Sequence, residues 1–296
     1  MIELKGIIPA LTTPFTKEQD LDLTSFQGLI DTVIQDGVHG ILVNGCTGES
    51  WALDDQERVT LFEAAVKQAA GRVPVVAGCG AICTKDVIKN VHMAETVGCD
   101  AVMIQPPSYV LITMEEVLQF FREIIRVTEL PVMIYNIPRR TGITLTADIV
   151  DKLADEPNVI AIKESSKDWL VLSEIIRKVK DRINVLAGYA SLLGLAAMSE
   201  GAVGFISAST PVEGRLPYDF YDAVIAGDLE KARKLQIEMV QFNKGFFGIG
   251  TFPAALKVAL DMLGRPGGGY TRDPIKPLSN DQRAQVKELL TKANRL

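Results

Sequence analysis

Eight short apolar runs, rich in Val and Ile and each followed by an amphipathic stretch of helical length, constrain the fold of this chain more than any other feature. The runs are Ile7 to Leu11, Gly40 to Val43, Val73 to Ala77, Ala101 to Ile104, Val132 to Tyr135, Val159 to Lys163, Val185 to Ala187 and Val203 to Ile206. Continuous hydrophobicity, as opposed to strict alternation, implies strands buried on both faces, as in a parallel sheet. Segments between them, such as Ser25 to Gln35, Asp55 to Ala70, Lys85 to Val97 and Glu115 to Thr128, repeat apolar residues at helical spacing. Eight such units predict an α/β chain folded as a (β/α)8 TIM barrel. The alternative, a doubly wound open sheet, lacks a Gly-x-Gly-x-x-Gly fingerprint after the first run.

The eighth helix is expected near Tyr218 to Ala226, so residues 1–226 form the barrel and 227–296 a C-terminal helical extension. Within the extension, Asp228 to Lys244, Pro253 to Leu263 and Asn280 to Asn294 predict three helices. At 296 residues, 47% hydrophobic, 23% charged and a net charge of −6, the chain describes a globular protein with no general affinity for nucleic acid. The N-terminus carries no secretory pattern and no apolar stretch reaches the ~20 residues of a membrane span, so a cytoplasmic location with no membrane partner is expected. Cys46, Cys79, Cys83 and Cys99 form no C-x-x-C pair and are expected to be reduced thiols, mostly buried. His39 and His92, the only histidines, are too few for a His-rich metal centre, and no metal is expected.

A barrel of this type builds its site where the strands end. Lys163 stands where Val159-Ile160-Ala161-Ile162 runs out into Glu164-Ser165-Ser166. Burial there would lower its pKa and free the amine for attack on a carbonyl carbon, although a strand-end lysine can also snorkel to solvent or pair with a carboxylate. After the second run, Gly45-Cys46-Thr47-Gly48-Glu49-Ser50 suits a nest of N–H groups for a carboxylate, or simply a tight turn. After the fifth, Tyr135-Asn136-Ile137-Pro138-Arg139-Arg140 offers a phenol as proton shuttle and a guanidinium fork for a carboxylate. A core-capping phenol and a solvated arginine are the simpler readings.

Gly45-x-Thr47-Gly48-Glu49, Tyr135-Asn136-x-Pro138 and Ile162-Lys163-Glu164, in this order on the second, fifth and sixth runs, resemble the dihydrodipicolinate synthase and N-acetylneuraminate lyase family of Schiff-base aldolases. The likeness spans almost the whole chain, from Gly6-Ile7-Ile8-Pro9-Ala10 to Arg272-Asp273-Pro274. It implies that Lys163 forms an imine with pyruvate or another 2-oxo acid, that no cofactor is needed, and that Thr47 and Gly48 hold the carboxylate. Tyr135 would then relay protons, and Tyr109 would complete the relay from across a dimer interface. A homo-oligomer, a dimer or a dimer of dimers, follows from that role.

Arg140 resembles the arginine with which the synthases hold the carboxylate of aspartate semialdehyde, and Gly188 and Ile206 match pocket-lining positions. The resemblance is therefore closest to the synthase branch and to lysine biosynthesis. Cys46 stands where synthases carry the hydroxyl of the relay, Ser108 where they carry a tyrosine, Tyr189 where they carry an acid and Arg139 where they carry a small residue. These departures keep a 2-keto-3-deoxy sugar acid aldolase or dehydratase as the alternative. A catalytically idle 2-oxo-acid-binding barrel is a third reading, against which Lys163, Tyr135 and Tyr109 stand together. Trp51, Asp55, Ile82 and Arg58 do not match the lysine-binding site of regulated members.

Overall fold

A computed structural model describes residues 2–296. Its eight strands are β1 (Gly6–Pro9), β2 (Ile41–Val43), β3 (Val75–Gly78), β4 (Ala101–Ile104), β5 (Val132–Asn136), β6 (Val159–Glu164), β7 (Asn184–Ala187) and β8 (Gly204–Ser207). All pair in parallel in the order β1-β8-β7-β6-β5-β4-β3-β2. An isolated parallel bridge from Ala10 to Leu42, with Leu11 N–H donating to the Leu42 carbonyl at 2.9 Å, joins the remaining edges. The expected TIM barrel is the observed fold.

Strand limits differ from the apolar runs for identifiable reasons. Pro74 has no N–H to give a ladder, so the third strand starts at Val75 and not at Val73. The first strand ends at Pro9, where its pairing with β8 ends in the register Pro9 to Ser207, and Leu11 lies beyond the ladder.

Around the barrel run α1 (Leu23–Asp36), α2 (Asp55–Ala69), α3 (Thr84–Val97), α4 (Met114–Ile125), α5 (Pro138–Thr141), α6 (Ala147–Leu153), α7 (Trp169–Val179), α8 (Ala190–Glu200) and α9 (Leu216–Ile225). Then follow α10 (Leu229–Phe246), α11 (Phe252–Met262) and α12 (Asn280–Lys292). Asp54 and Thr113 close capping boxes with Glu57 and Glu116, which fixes where α2 and α4 begin. The short α5 replaces a plain loop, because Pro138 presets the first helical φ and Gly142, at φ 74°, ends the turn.

The strands are buried on both faces because successive side chains serve two cores. Ile7, Ile41, Val43, Val75, Val102, Ile134, Ile162 and Val185 pack outward against the helices. Ile8, Leu42, Val76, Met103, Met133, Ala161, Leu186 and Ile206 fill the barrel interior. A third core, including Phe246, Leu256, Val286 and Leu290, belongs to the last three helices. Of the cysteines, Cys79 and Cys99 are buried, but Cys46 is half-buried and Cys83 exposed, because Cys83 lies on the loop leading into α3. No helix among the described residues is long and apolar enough to cross a membrane.

Candidate active site

Side chains two apart on a strand share a face, so the inward-facing Ala161 requires the Lys163 side chain to enter the barrel mouth. The parallel register sets Tyr135 of β5 directly beside Lys163 of β6, and Asn136 beside Glu164. The Lys163 ammonium nitrogen lies 4.1 Å from the Tyr135 ring centroid, and the residue is only 7% exposed. Neither an ion pair nor a hydrogen bond holds that nitrogen within the described chain. Burial lowers the Lys163 pKa to about 8, with Arg140 adding repulsion and Cys46 opposing. Burial also pushes the Tyr135 phenol well above its usual range, so it stays a proton donor.

On the opposite face, Asn136 Nδ2 donates to Glu164 Oε1 at 3.1 Å while its Oδ1 accepts from Leu145 N–H at 3.0 Å. The Tyr-Asn-x-Pro segment thus has two functions: Tyr135 faces the mouth, and Asn136 ties down the loop carrying α5. Glu164 is buried and its pKa raised, and it also accepts from Ser166 N–H at 2.7 Å.

The loop after β2 approaches from the other side. Gly48 N–H is committed to the Gly45 carbonyl at 3.1 Å and Glu49 N–H to the Cys46 carbonyl at 3.3 Å. The Cys46 and Thr47 N–H groups have no such partner, which leaves them available to an anionic ligand. Glu49, at φ 52°, sends its carboxylate inward to Lys257 Nζ at 2.5 Å, a pair with no exposure on either side. Its second oxygen accepts from Arg272 N–H at 2.9 Å. Lys257 also donates to the Tyr270 carbonyl at 2.5 Å. The loop is therefore anchored to the C-terminal extension, a connection no local sequence pattern announced.

Cys46, Thr47, Tyr135, Arg140, Lys163, Gly188 and Ile206 line one cleft of about 80 Å3. A side chain on Gly188 would collide with Ser165 Oγ, which makes glycine the residue that fits there. Two expected residues are not brought to the cleft. A Cβ on Gly48 would meet Thr13 Oγ1 at 3.1 Å and the Leu11 carbonyl at 3.2 Å, so this glycine serves close packing and does not line the cleft. Tyr109 is 91% exposed at φ 74°, its ring presented outward from the loop after β4. A larger groove of about 1030 Å3 lies outside the barrel between α2 and α3, but it brings together none of the predicted chemistry.

The cleft also recruits residues that the sequence did not single out as ligands: Ser165, Tyr189, Ser207, Asn243, Phe247 and Phe252. The last three come from α10 and its sequel, so the extension closes the mouth from above. Only tertiary packing of α10 on α8 and α9 puts them there. Arg58 is buried and donates to the Ser50 carbonyl at 3.0 Å, while Trp51 and Ile82 are exposed. Among the described residues no group of three or more His, Cys, Asp or Glu is placed to hold a metal ion.

The model of the dihydrodipicolinate synthetase family matches residues 3–293. The chain belongs to that family. It is similar to an uncharacterised DapA-like lyase of Rhizobium meliloti, 35% identical over 89% of this chain and 87% of that protein. A 4-hydroxy-tetrahydrodipicolinate synthase of Phenylobacterium zucineum is 36% identical over 95% of each chain. Among solved structures, the E. coli K12 prophage protein YagE, determined in complex with pyruvate, superposes with a TM-score of 0.94 at 30% identity over 99% of both chains. The chain is accordingly an enzyme of the lyase type.

Proposed function

We propose that this family member is a Schiff-base lyase that condenses pyruvate with aspartate semialdehyde, the 4-hydroxy-tetrahydrodipicolinate synthase reaction. The observation that carries the first half is Lys163, a buried and unpaired amine at the barrel mouth over a phenol. With a pKa of about 8, about a tenth of it is free amine at pH 7, roughly 300-fold more than for an ordinary lysine. The amine adds to the ketone carbon of pyruvate and the carbinolamine loses water, with Tyr135 shuttling the proton. The resulting iminium acidifies the methyl C–H, and the enamine formed attacks the acceptor aldehyde. The N–H groups of Cys46 and Thr47 and the Thr47 hydroxyl hold the pyruvate carboxylate.

The synthase assignment is supported by Arg140, whose guanidinium lines the same cleft as Lys163, and by the synthases among its relatives. Tyr109 supplies its phenol to a neighbouring copy, which makes the active unit at least a dimer. Its exposure and rigid setting after Pro106 and Pro107 support that role. A second reading, an aldolase or dehydratase of hydroxylated 2-oxo acids, is favoured by Ser165. That residue is 3% exposed and lines the cleft beside the Tyr135 phenol, where its hydroxyl can meet a substrate hydroxyl. Turnover of pyruvate with aspartate semialdehyde, set against cleavage or dehydration of a panel of 2-keto-3-deoxy acids, separates the two. Synthase turnover without sugar-acid turnover is expected; the reverse would transfer the assignment.

A further inference from the structure

Glu213 takes no part in the chemistry described so far, yet it is 1% exposed and lies behind the wall of the cleft. Two polar chains connect it to that wall. Asn243 Nδ2 donates to Glu213 Oε1 at 2.6 Å and also to the Met239 carbonyl at 3.0 Å. Ser209 Oγ donates to Glu213 Oε2 at 3.0 Å, and Ser207 Oγ lies 3.0 Å from Ser209 Oγ. Asn243 and Ser207 both line the cleft that holds Lys163 and Arg140.

An ionised carboxylate accepts and never donates, and this fixes the direction of every bond in both chains. The amide of Asn243 must turn its nitrogen toward Glu213, where both of its hydrogens are spent on acceptors. No donor among the described residues reaches its Oδ1, and Asn243 lines the cleft. Ser209 has one hydrogen and spends it on Glu213, so Ser207 must donate to Ser209. What Ser207 keeps for the cleft is its lone pairs. With Glu213 ionised, one wall therefore presents acceptors only, backed by a buried negative charge, while Arg140 presents donors and a positive charge.

On the reading that the acceptor is an amino-acid aldehyde, we infer that Asn243 and Ser207, oriented by Glu213, recognise its α-ammonium group and so set specificity for an amino over a desamino acceptor. Arg140 takes the carboxylate and the acceptor wall the ammonium, which fixes the aldehyde carbon by two points of opposite polarity. A hydroxyl in that place would satisfy one acceptor without meeting the charge behind it. Burial raises the Glu213 pKa to about 7, Asn243, Ser209 and Arg295 pull it back, and the phenol of Tyr218 is the remaining titratable neighbour. A bound ammonium would hold Glu213 ionised and keep the polarity of both chains.

The test compares kcat/KM for aspartate semialdehyde with that for succinate semialdehyde, the same chain without the amine, each with pyruvate. The wild type should favour the amino aldehyde about tenfold or more, because a desamino ligand leaves the acceptors unpaired. Glu213→Gln, which can donate where the carboxylate only accepts, should cut that ratio by about tenfold. Ser209→Ala, which breaks one chain behind the wall, should cut it roughly threefold, as one lost hydrogen bond does. Should Glu213→Gln fail to fold, Ser209→Ala decides alone. No preference in the wild type, or a preference unchanged in a folded variant, would overturn the inference while leaving the lyase reading intact. Absence of a pyruvate adduct, or of turnover with either aldehyde, would instead overturn the parent reading and this one with it.

Discussion

Two buried lysines occupy opposite ends of the same structural argument. Lys163 ends a barrel strand and Lys257 lies within α11 of the extension; both sit over an aromatic ring, Tyr135 at 4.1 Å and Phe15 at 4.4 Å. Burial pulls the pKa of each down to about 8, so the pKa does not separate them. The difference is the partner. Lys257 has a carboxylate and a carbonyl at 2.5 Å, which oppose deprotonation and hold it as an ammonium strut. Lys163 has neither: its nitrogen has no hydrogen-bond or ion-pair partner among the described residues and the residue lines the cleft, so the amine is open to a ligand. Burial alone does not make a reactive lysine; burial with the amine uncommitted and facing a cleft does.

The largest effect expected from breaking this contrast is the loss of Lys163. Lys163→Ala should reduce turnover by about 10^4-fold or more, the scale on which nucleophile deletions act. The fold should survive, because no ion pair is broken, and a thermal melt run beside the assay checks that. Tyr135→Phe comes next, with kcat down by about 10^2- to 10^4-fold as a positioned proton shuttle is removed. Borohydride trapping in that variant should be slowed, not absent; normal trapping kinetics would assign Tyr135 to packing.

Lys257→Met should act in the opposite way, on stability before chemistry. It leaves the Glu49 carboxylate buried without its counter-charge and held only by the Arg272 N–H, at a cost of about 3–5 kcal/mol in denaturant unfolding. Through the loop that carries Cys46 and Thr47 it should also raise KM for pyruvate more than it lowers kcat. Pairing it with Glu49→Gln should recover part of the stability, and a purely additive double variant would contradict the strut.

The smallest effect is on pH dependence. The folded-state pKa of Lys163 is depressed to about 8 from 10.5, so between those values the unfolded chain binds more protons than the folded one. This group therefore destabilises the fold at low pH, and stability rises with pH across that window by on the order of 3 kcal/mol. The rate of imine formation should climb through the same pKa. Lys163→Ala should lose that component of the stability profile; an unchanged profile would mean the amine is not desolvated.

The barrel was legible because every strand is apolar on both faces, and Lys163 was legible because it interrupts such a run at its end. Thr47, Tyr135, Arg140, Gly188 and Ile206 were reachable through family motifs, and all line the cleft. Gly48 does not line the cleft: glycine suits a ligand nest and a crowded turn equally well, and only the packing of Thr13 and Leu11 distinguishes them. Asn243 and Glu213 left no local signal: one is a polar residue in an amphipathic helix, the other an acid in a turn. Their meeting depends on how α10 lies over the barrel.

Trapping decides the central contrast most directly. The protein is incubated with pyruvate, reduced with borohydride, digested and mapped by mass spectrometry. A single reduced adduct on Lys163, with Lys257 unmodified in the same digest, is the predicted result. An adduct on Lys257 or elsewhere, or none at all, would contradict the claim that the unpaired lysine is the nucleophile.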